Sequence, residues 1–279
     1  TTEIYTLSLH DALPISLHLR RILQDDKGKK SNVMEYEMPD IDQPSTNDYS
    51  STWFQVFLEP IQPIQTEAEI AFMTRYLPMP SYVKVLDLCC GLGRHTRALA
   101  NKHYQVTGID NNLSVLNKAK NISGGAIEYI AHDMRKLDQL PKTFDAIVNL
   151  WQSFGYFDER VNNNILKQIS NKLNSKGRLI LDVYHRNFFE QHQGSRQFEK
   201  NGLIITETKV MKGNRLTVDL NYGDLGADCF EWQLYTPEEM TQLARRVGFA
   251  PLIICTGFDE NLLASADSPR MQLVFEKDN

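Results

Sequence analysis

Asp87, Gly91 and Gly93 fall in the run Val83–Arg94, VKVLDLCCGLGR, with the spacing D-x-x-x-G-x-G. An acid four residues before a Gly-x-Gly turn suits a nucleotide. Glycine carries no Cβ, so the backbone turns sharply and a ligand approaches closely. The helix that opens at Arg94-His95-Thr96 adds unpaired N–H groups and a partial positive charge. Asp87 either reaches into that pocket or caps the turn. A dinucleotide turn reads G-x-G-x-x-G, and Gly91-Leu92-Gly93-Arg94-His95-Thr96 lacks the third glycine. A second acid, Asp110, closes the run QVTGID. It either accepts from two vicinal hydroxyls of a ribose or caps the helix that follows.

These groups need rigid elements behind them. Val83, Val85, Leu86 and Leu88 suit a strand covered on both faces, as in a parallel sheet. Further strands are read at Gln105–Asp110, Ile127–Ala131, Phe144–Leu150 and Arg178–Val183, the last after Gly177. Helices are read at about Arg94–Lys102, at Ser114–Asn121 and after Asp158, where Val161, Ile165, Leu166, Ile169 and Leu173 recur at helical spacing. Strand and helix alternate, which predicts an α/β fold with a parallel sheet and helices on both faces. Tyr49–Leu58 is read as a short helix ended by Pro60. Thr66-Glu-Ala-Glu69 has the form of a capping box and predicts a helix running to just before Pro78. The aromatic residues of these first two helices either line the core or cover the pocket.

After Tyr184 the period becomes two. Leu216, Val218, Leu220 and Tyr222 alternate with Thr217, Asp219 and Asn221, as in a half-buried antiparallel strand. Lys212-Gly213-Asn214 turns back to Leu203–Met211, and Cys229–Tyr235 is another strand. Residues 184–235 therefore read as a small antiparallel β insert built from hairpins. Thr236-Pro-Glu-Glu239 starts a helix that Gly248 ends, and Leu252–Cys255 and Met271–Phe275 are the last strands.

With Asp87-Leu-Cys-Cys-Gly91-Leu-Gly93, Asp110, His132-Asp133-Met134 and Leu150-Trp151-Gln152 in this order, the chain resembles the class I S-adenosylmethionine-dependent methyltransferases. The resemblance runs from about Tyr49 to the end, and most closely over Lys84–Val183. It implies a Rossmann-like doubly wound sheet of seven strands, order 3-2-1-4-5-7-6 with strand 7 antiparallel, and S-adenosyl-L-methionine as cofactor. It implies that Asp87, Gly91 and Gly93 form the cofactor turn and that Asp110, next to Asn111, takes both ribose hydroxyls. It further implies that Asp133 and Met134 lie by the adenine, with Asp133 accepting from the exocyclic amine. Leu150 and Trp151 would lie by the methionine part and the transferable methyl. Read as residues alone, Asp133 is equally a turn former.

Trp151, Phe154, Tyr156 and Phe157 either face a sulfonium through their π surfaces or pack the mouth of the sheet. Tyr156, Tyr184 and His185 stand where an acceptor would be met. His185 titrates near neutral pH and can serve as a base, or is structural. Tyr156 and His185 are the candidate catalytic residues. An Asn/Asp-Pro-Pro-aromatic motif, found after strand four in methyltransferases of DNA bases and of protein glutamine, is absent from Asn149-Leu-Trp-Gln-Ser-Phe. The insert is similar to those of small-molecule N-methyltransferases, including ones acting on amino sugars and glycine-like amines. It would cover the acceptor or make a homodimer contact. Methyl transfer to a small amine is therefore expected. A nicotinamide-dependent oxidoreductase and a non-catalytic partner protein with the same fold are the alternatives.

Composition narrows the partners. The 279 residues are 42% hydrophobic, enough for a substantial core, and the formal net charge of -5 disfavours non-specific nucleic-acid binding. No apolar run reaches the roughly 20 residues of a membrane span. Cys89, Cys90, Cys229 and Cys255 show no metal-ligand spacing, so no metal is expected, and reduced thiols point to the cytoplasm. Residues 1–16, TTEIYTLSLHDALPIS, read as a translated sequencing adapter and are set aside as a scar. Residues 17–48 read as a flexible or non-native lead-in, with Met34 or Met38 as the native start. Residues 49–183 form the core with its N-terminal helices, and 236–279 complete it.

Overall fold

The computed structural model describes residues 46–278. The expectations for residues 1–16, and for the lead-in through residue 45, lie outside the described residues.

The core sheet begins with four parallel strands, β1 (Lys84–Leu88), β2 (Gln105–Asp110), β3 (Glu128–Ala131) and β4 (Phe144–Asn149), and continues with β5 (Leu173–Tyr184). A separate antiparallel sheet is built from β6 (Gly194–Lys200), β7 (Leu203–Lys212), β8 (Arg215–Asn221) and β9 (Ala227–Gln233). The chain then returns to the core with β10 (Phe249–Thr256), β11 (Asp259–Leu263) and β12 (Arg270–Lys277). The core order is β3-β2-β1-β4-β5-β12-β10-β11. The first seven reproduce the order 3-2-1-4-5-7-6, and β12 runs antiparallel to both neighbours. The expected seven strands become eight because β11 folds back on β10 at the edge, pairing Cys255 with Leu263 and Thr256 with Asp259. Its polar sequence, DENLL, carries no alternation to announce it.

Each central strand sends alternate residues into two cores. On one face Leu86, Ile147, Leu179, Leu181 and Leu273 meet helices α5 (Glu159–Lys172) and α7 (Pro237–Arg246). On the other, Val85, Val148, Ile180 and Val274 meet α2 (Pro63–Tyr76) and α3 (Arg94–Ala100). Burial on both faces is why these strands read as apolar runs and why helices must cover both sides. Helix α4 (Leu113–Ile122) covers Tyr129 of β3 through Leu116 and Ala119.

Two segments with the same Thr-x-x-Glu spacing behave differently. Thr236 caps α7 in a capping box with Glu239, behind Pro237. Thr66 and Glu69, expected to do the same, lie inside α2, which starts one turn earlier at Pro63 with Gln62 as its cap residue. Proline at the first helical position presets φ there and has no N–H to leave unpaired.

The insert's inner face is apolar: Ile205, Leu216, Val218, Leu220, Phe230 and Trp232 are buried. Helix α6 (Arg186–Gln191), which was not anticipated, contributes Phe189. So does the first described segment, where α1 (Ser51–Trp53) runs on as a π-helical turn, Phe54–Leu58. Asn47, placed in the lead-in by its sequence, is anchored to β9: its N–H donates to Cys229 O at 3.0 Å and its side-chain oxygen accepts from Glu231 N–H at 2.9 Å. No helix among the described residues is long and apolar enough to cross a membrane.

Candidate functional site

A cavity of about 590 Å³ opens at the carboxyl ends of β1, β2 and β4. Its floor is Asp87, Cys89–Leu92, Asp110–Asn112 and His132–Arg135; its sides are Leu150, Trp151 and Arg94; its roof is Tyr49, Trp53, Phe54, Tyr156 and Phe157, with Arg215 and Glu231 from the insert. In an open parallel sheet the strand ends at a switch point leave such a crevice.

The two glycines of the turn are required for different reasons. Both have left-handed backbones, φ +53° at Gly91 and +71° at Gly93. A Cβ on Gly91 would meet no atom within 4 Å, whereas on Gly93 it would stand 2.9 Å from the Tyr129 ring and closer still to its hydroxyl. Gly91 lines the cavity. Gly93 does not; it caps α3 and lets Tyr129 pack beneath the turn. Gly93 thus stands outside the cavity lining and has a packing role of its own. Gly93→Ala should lower stability by about 1–3 kcal/mol through overpacking, with the left-handed φ adding to it. A thermal unfolding curve unchanged from wild type would contradict this.

Three carboxylates border the floor. Asp87 is buried at the end of β1 and accepts from Thr96 Oγ1 at 2.5 Å. Asp110 accepts from Gly91 N–H and from Asn112 N–H, each at 2.9 Å. Burial pushes both carboxyls above the usual aspartate range. Asp133 caps the 3₁₀ turn Met134–Gln139 and is gripped by the Arg135 fork, with Nη2 at 2.6 Å and Nε at 2.9 Å from Oδ2. That pairing lowers its carboxyl.

The wall after β4 is built from a strained turn. Trp151 and Gln152 both take left-handed φ, +57° and +60°. The Trp151 indole N–H donates to Glu69 at 3.0 Å, and the guanidinium groups of Arg94 and Arg270 lie over its ring, 5.0 and 5.1 Å from the centroid. Glu69 is buried and also accepts from Arg94 and from His95 Nε2. Burial alone raises its carboxyl; His95 and then Arg94 outweigh that and hold it well below the usual range. Tyr49 and Tyr156 also line the cavity, and their hydroxyls are hydrogen-bonded to each other. Burial raises both phenols.

Of the residues read from sequence, Asp87, Gly91, Asp110, Asn111, Asp133, Met134, Leu150, Trp151 and Tyr156 line one cavity. Gly93 and His185 do not. His185 is buried beyond the end of β5, bridged to Tyr235, and its backbone N–H donates to Pro269 O at 3.0 Å. Burial lowers its imidazole pKa, favouring the neutral ring. The neutral ring is the form a base needs, but it is buried outside the cavity lining and does not border the space where an acceptor would sit. Tyr184 packs on Phe189 and Trp232, and Phe154 on Tyr235, away from the cavity. Tyr49, Glu69, Arg94, Arg215 and Glu231 were not singled out. A charged Glu69 beside Ile70, Phe72 and Met73, and an Arg directly after the turn, were the available signals. Among the described residues no group of three or more His, Cys, Asp or Glu is placed to hold a metal ion.

Residues 85–177 match the family described as "Methyltransferase domain". YqeM of Bacillus subtilis (strain 168), which bears a methyltransferase name, is 32% identical over 111 residues, 38% of this chain and 44% of that protein. The match thus spans less than half of the curated relative. A S-adenosylmethionine-dependent methyltransferase from Clostridium acetobutylicum ATCC 824 superposes with a TM-score of 0.70 at 16% identity, over 82% of this chain and 97% of that one. The amino pentose methyltransferase CalS10 from Micromonospora echinaspora, solved with S-adenosylmethionine bound, superposes at 0.60 and 17% identity, over 83% and 98%. At such identities the likeness is one of fold. Residues 85–177, from β1 into β5, thus match a methyltransferase domain, and the strand order gives the chain the fold of these S-adenosylmethionine-dependent methyltransferases.

Proposed function

We propose that this chain transfers a methyl group from S-adenosyl-L-methionine to the amine nitrogen of a small-molecule acceptor. One observation carries the reading: three strand-end carboxylates, a glycine open to the cavity and an aromatic roof surround a single space of ligand size. The site fits the cofactor on this ground, since a side chain at Gly91 would project into that space and Asp110 is anchored beside it.

Asp110 accepts from the two ribose hydroxyls. Asn111 and Met134 flank the nucleoside, and Asp133, shared with Arg135, receives the adenine amine. Arg94, whose Nε and Nη2 are buried without a partner, offers its charge to the cofactor's carboxylate. The bound cofactor supplies a methyl already activated on a sulfonium. The chain's work is alignment and the exclusion of water. Leu150 and Trp151 form the wall. Tyr156 and Tyr49, neutral phenols, accept from the acceptor's N–H and aim its lone pair rather than removing a proton. Arg215 and Glu231, paired at 2.9 Å, make the insert an acceptor cover. The amine assignment is supported by these neutral phenols within an aromatic roof and by the amino pentose named for CalS10. The four free cysteines support a cytoplasmic setting.

The test is calorimetry with S-adenosylhomocysteine, followed by incubation with cofactor and a metabolite extract, reading methyl increments by mass spectrometry. No binding at millimolar ligand would end the reading. A pH series adds a signed expectation. Asp110 must be ionised to accept twice, and burial raises its carboxyl. Affinity should therefore decline on acidification earlier than an exposed aspartate would allow. Asp110→Asn should bind more weakly and respond less to pH; identical pH profiles for the two proteins would assign the titration elsewhere.

A further inference from the structure

We propose that Asp182 is a positioning residue for methyl transfer: from outside the cavity it holds Trp151 and Gln152 in the strained turn that forms the cavity wall. The proposal rests on the functional reading above, in which Trp151 borders the cofactor.

Two consecutive non-glycine residues at positive φ persist only where their surroundings overdetermine them. Here one side chain does most of that. Asp182, in β5, has no solvent exposure and does not line the cavity. Its Oδ2 accepts from Trp151 N–H at 2.9 Å and from Gln152 Nε2 at 3.2 Å, and its main-chain oxygen accepts from Gln152 N–H at 3.0 Å. Both backbone N–H groups of the turn thus end on a single residue. The carboxylate is held from the far side by Gln272, at 2.7 Å across the β5–β12 ladder, and by a fork from Arg270. Arg270 also lies 5.1 Å from the centroid of the Trp151 ring. Asp182 therefore sets the Trp151 backbone directly and its ring through Arg270. A buried charge whose only task was to join β5 to β12 would not need to turn an oxygen toward β4.

Asp182→Asn keeps the size but turns either an NH₂ group toward donors or a weaker acceptor toward Trp151. The full chain would be studied as Asp182→Asn, Trp151→Ala and the double variant, with S-adenosylhomocysteine affinity by calorimetry. Trp151 emission would be read as the difference between each protein and its Trp151→Phe counterpart. Asp182→Asn is expected to weaken binding about tenfold in the wild-type background and less than about twofold in Trp151→Ala, because coupled residues are non-additive. Trp151 emission should shift without ligand. Equal losses in both backgrounds, or unchanged emission, would overturn the proposal. If Trp151→Ala leaves affinity unchanged, Trp151 is no cofactor contact and the link to methyl transfer falls, while emission still decides whether Asp182 sets the turn. Absence of binding by the wild-type protein would instead reject the functional reading itself. Should Asp182→Asn not fold, Arg270→Lys replaces it in the same cycle, since it keeps the charge and loses the fork and the stacking.

Discussion

Asp110→Ala is expected to weaken S-adenosylhomocysteine binding by about 10²- to 10⁴-fold. Two hydroxyl groups donating to one carboxylate make two charge-assisted hydrogen bonds, each worth roughly 1.5–3 kcal/mol, and every 1.4 kcal/mol is a factor of about ten in affinity. The geometry favours the upper part of that range. Asp110 is already anchored by Gly91 N–H and Asn112 N–H, so little ordering remains to be done when ligand enters. Removing the carboxylate also frees Gly91 N–H in the very turn that borders the cavity. Asp110→Asn separates the contributions: it retains one acceptor oxygen, so its loss should be smaller than that of alanine. Calorimetry on both variants, with circular dichroism confirming the fold, makes the measurement. An affinity unchanged in Asp110→Ala would remove the ribose role.

Glu69→Ala should lower the unfolding free energy by about 3–5 kcal/mol, the range for breaking a buried ion pair from one side. Glu69 receives Arg94, His95 at 2.7 Å, the Trp151 indole at 3.0 Å and Gln65 at 3.3 Å. Its loss leaves the mostly buried Arg94 without its counter-charge, and His95 Nε2 and the indole N–H without their hydrogen-bond partner. Glu69→Gln, which keeps an acceptor, should cost less. The pH dependence has a definite sign. Glu69 is lowered in the fold, so its stabilisation is fully present above its unfolded value near 4.5 and is lost as pH falls through the lower folded value. Asp87 and Asp110 are raised, so they act oppositely, favouring the fold as pH falls. Urea titrations across this range should bring wild type and Glu69→Gln together in acid. A constant difference would place the stabilisation in packing instead.

How much of this was legible depends on how far apart the partners are. The strands of the parallel sheet were readable because burial on both faces leaves an apolar run, and Asp87, Gly91 and Asp110 because the strand–turn–helix unit is local. The β5 strand was read one residue short at its end and five short at its start, where LNSKG is polar in part and broken by Gly177. Strand β11 was missed because a short polar edge strand has no pattern of its own. That His185 stands outside the cavity lining was hidden for a similar reason: a histidine after a strand looks the same whether its ring faces the crevice or is buried at the start of α6. Only its burial and its bridge to Tyr235 distinguish the two.

Thr66-Glu-Ala-Glu69 and Thr236-Pro-Glu-Glu239 draw the line most clearly. Both have the spacing of a capping box, and only the second is one. In α7 both partners of the carboxylate lie within a single turn, so four residues determine the outcome. In α2 the helix begins at Pro63, and Glu69 is claimed by Arg94, His95 and Trp151, which are 25, 26 and 82 positions away. Likewise Asp182 and Trp151 are 31 positions apart and meet only because β4 and β5 are neighbours. The sequence by itself determined the parallel strands of the sheet, the glycine turn and the strand-end acids, since each depends on backbone preference and burial over a few residues. The tertiary structure alone decided which charges are buried together, which aromatics face the cavity and which acid holds the wall. Those depend on electrostatics and packing between distant segments, and no local pattern encodes them.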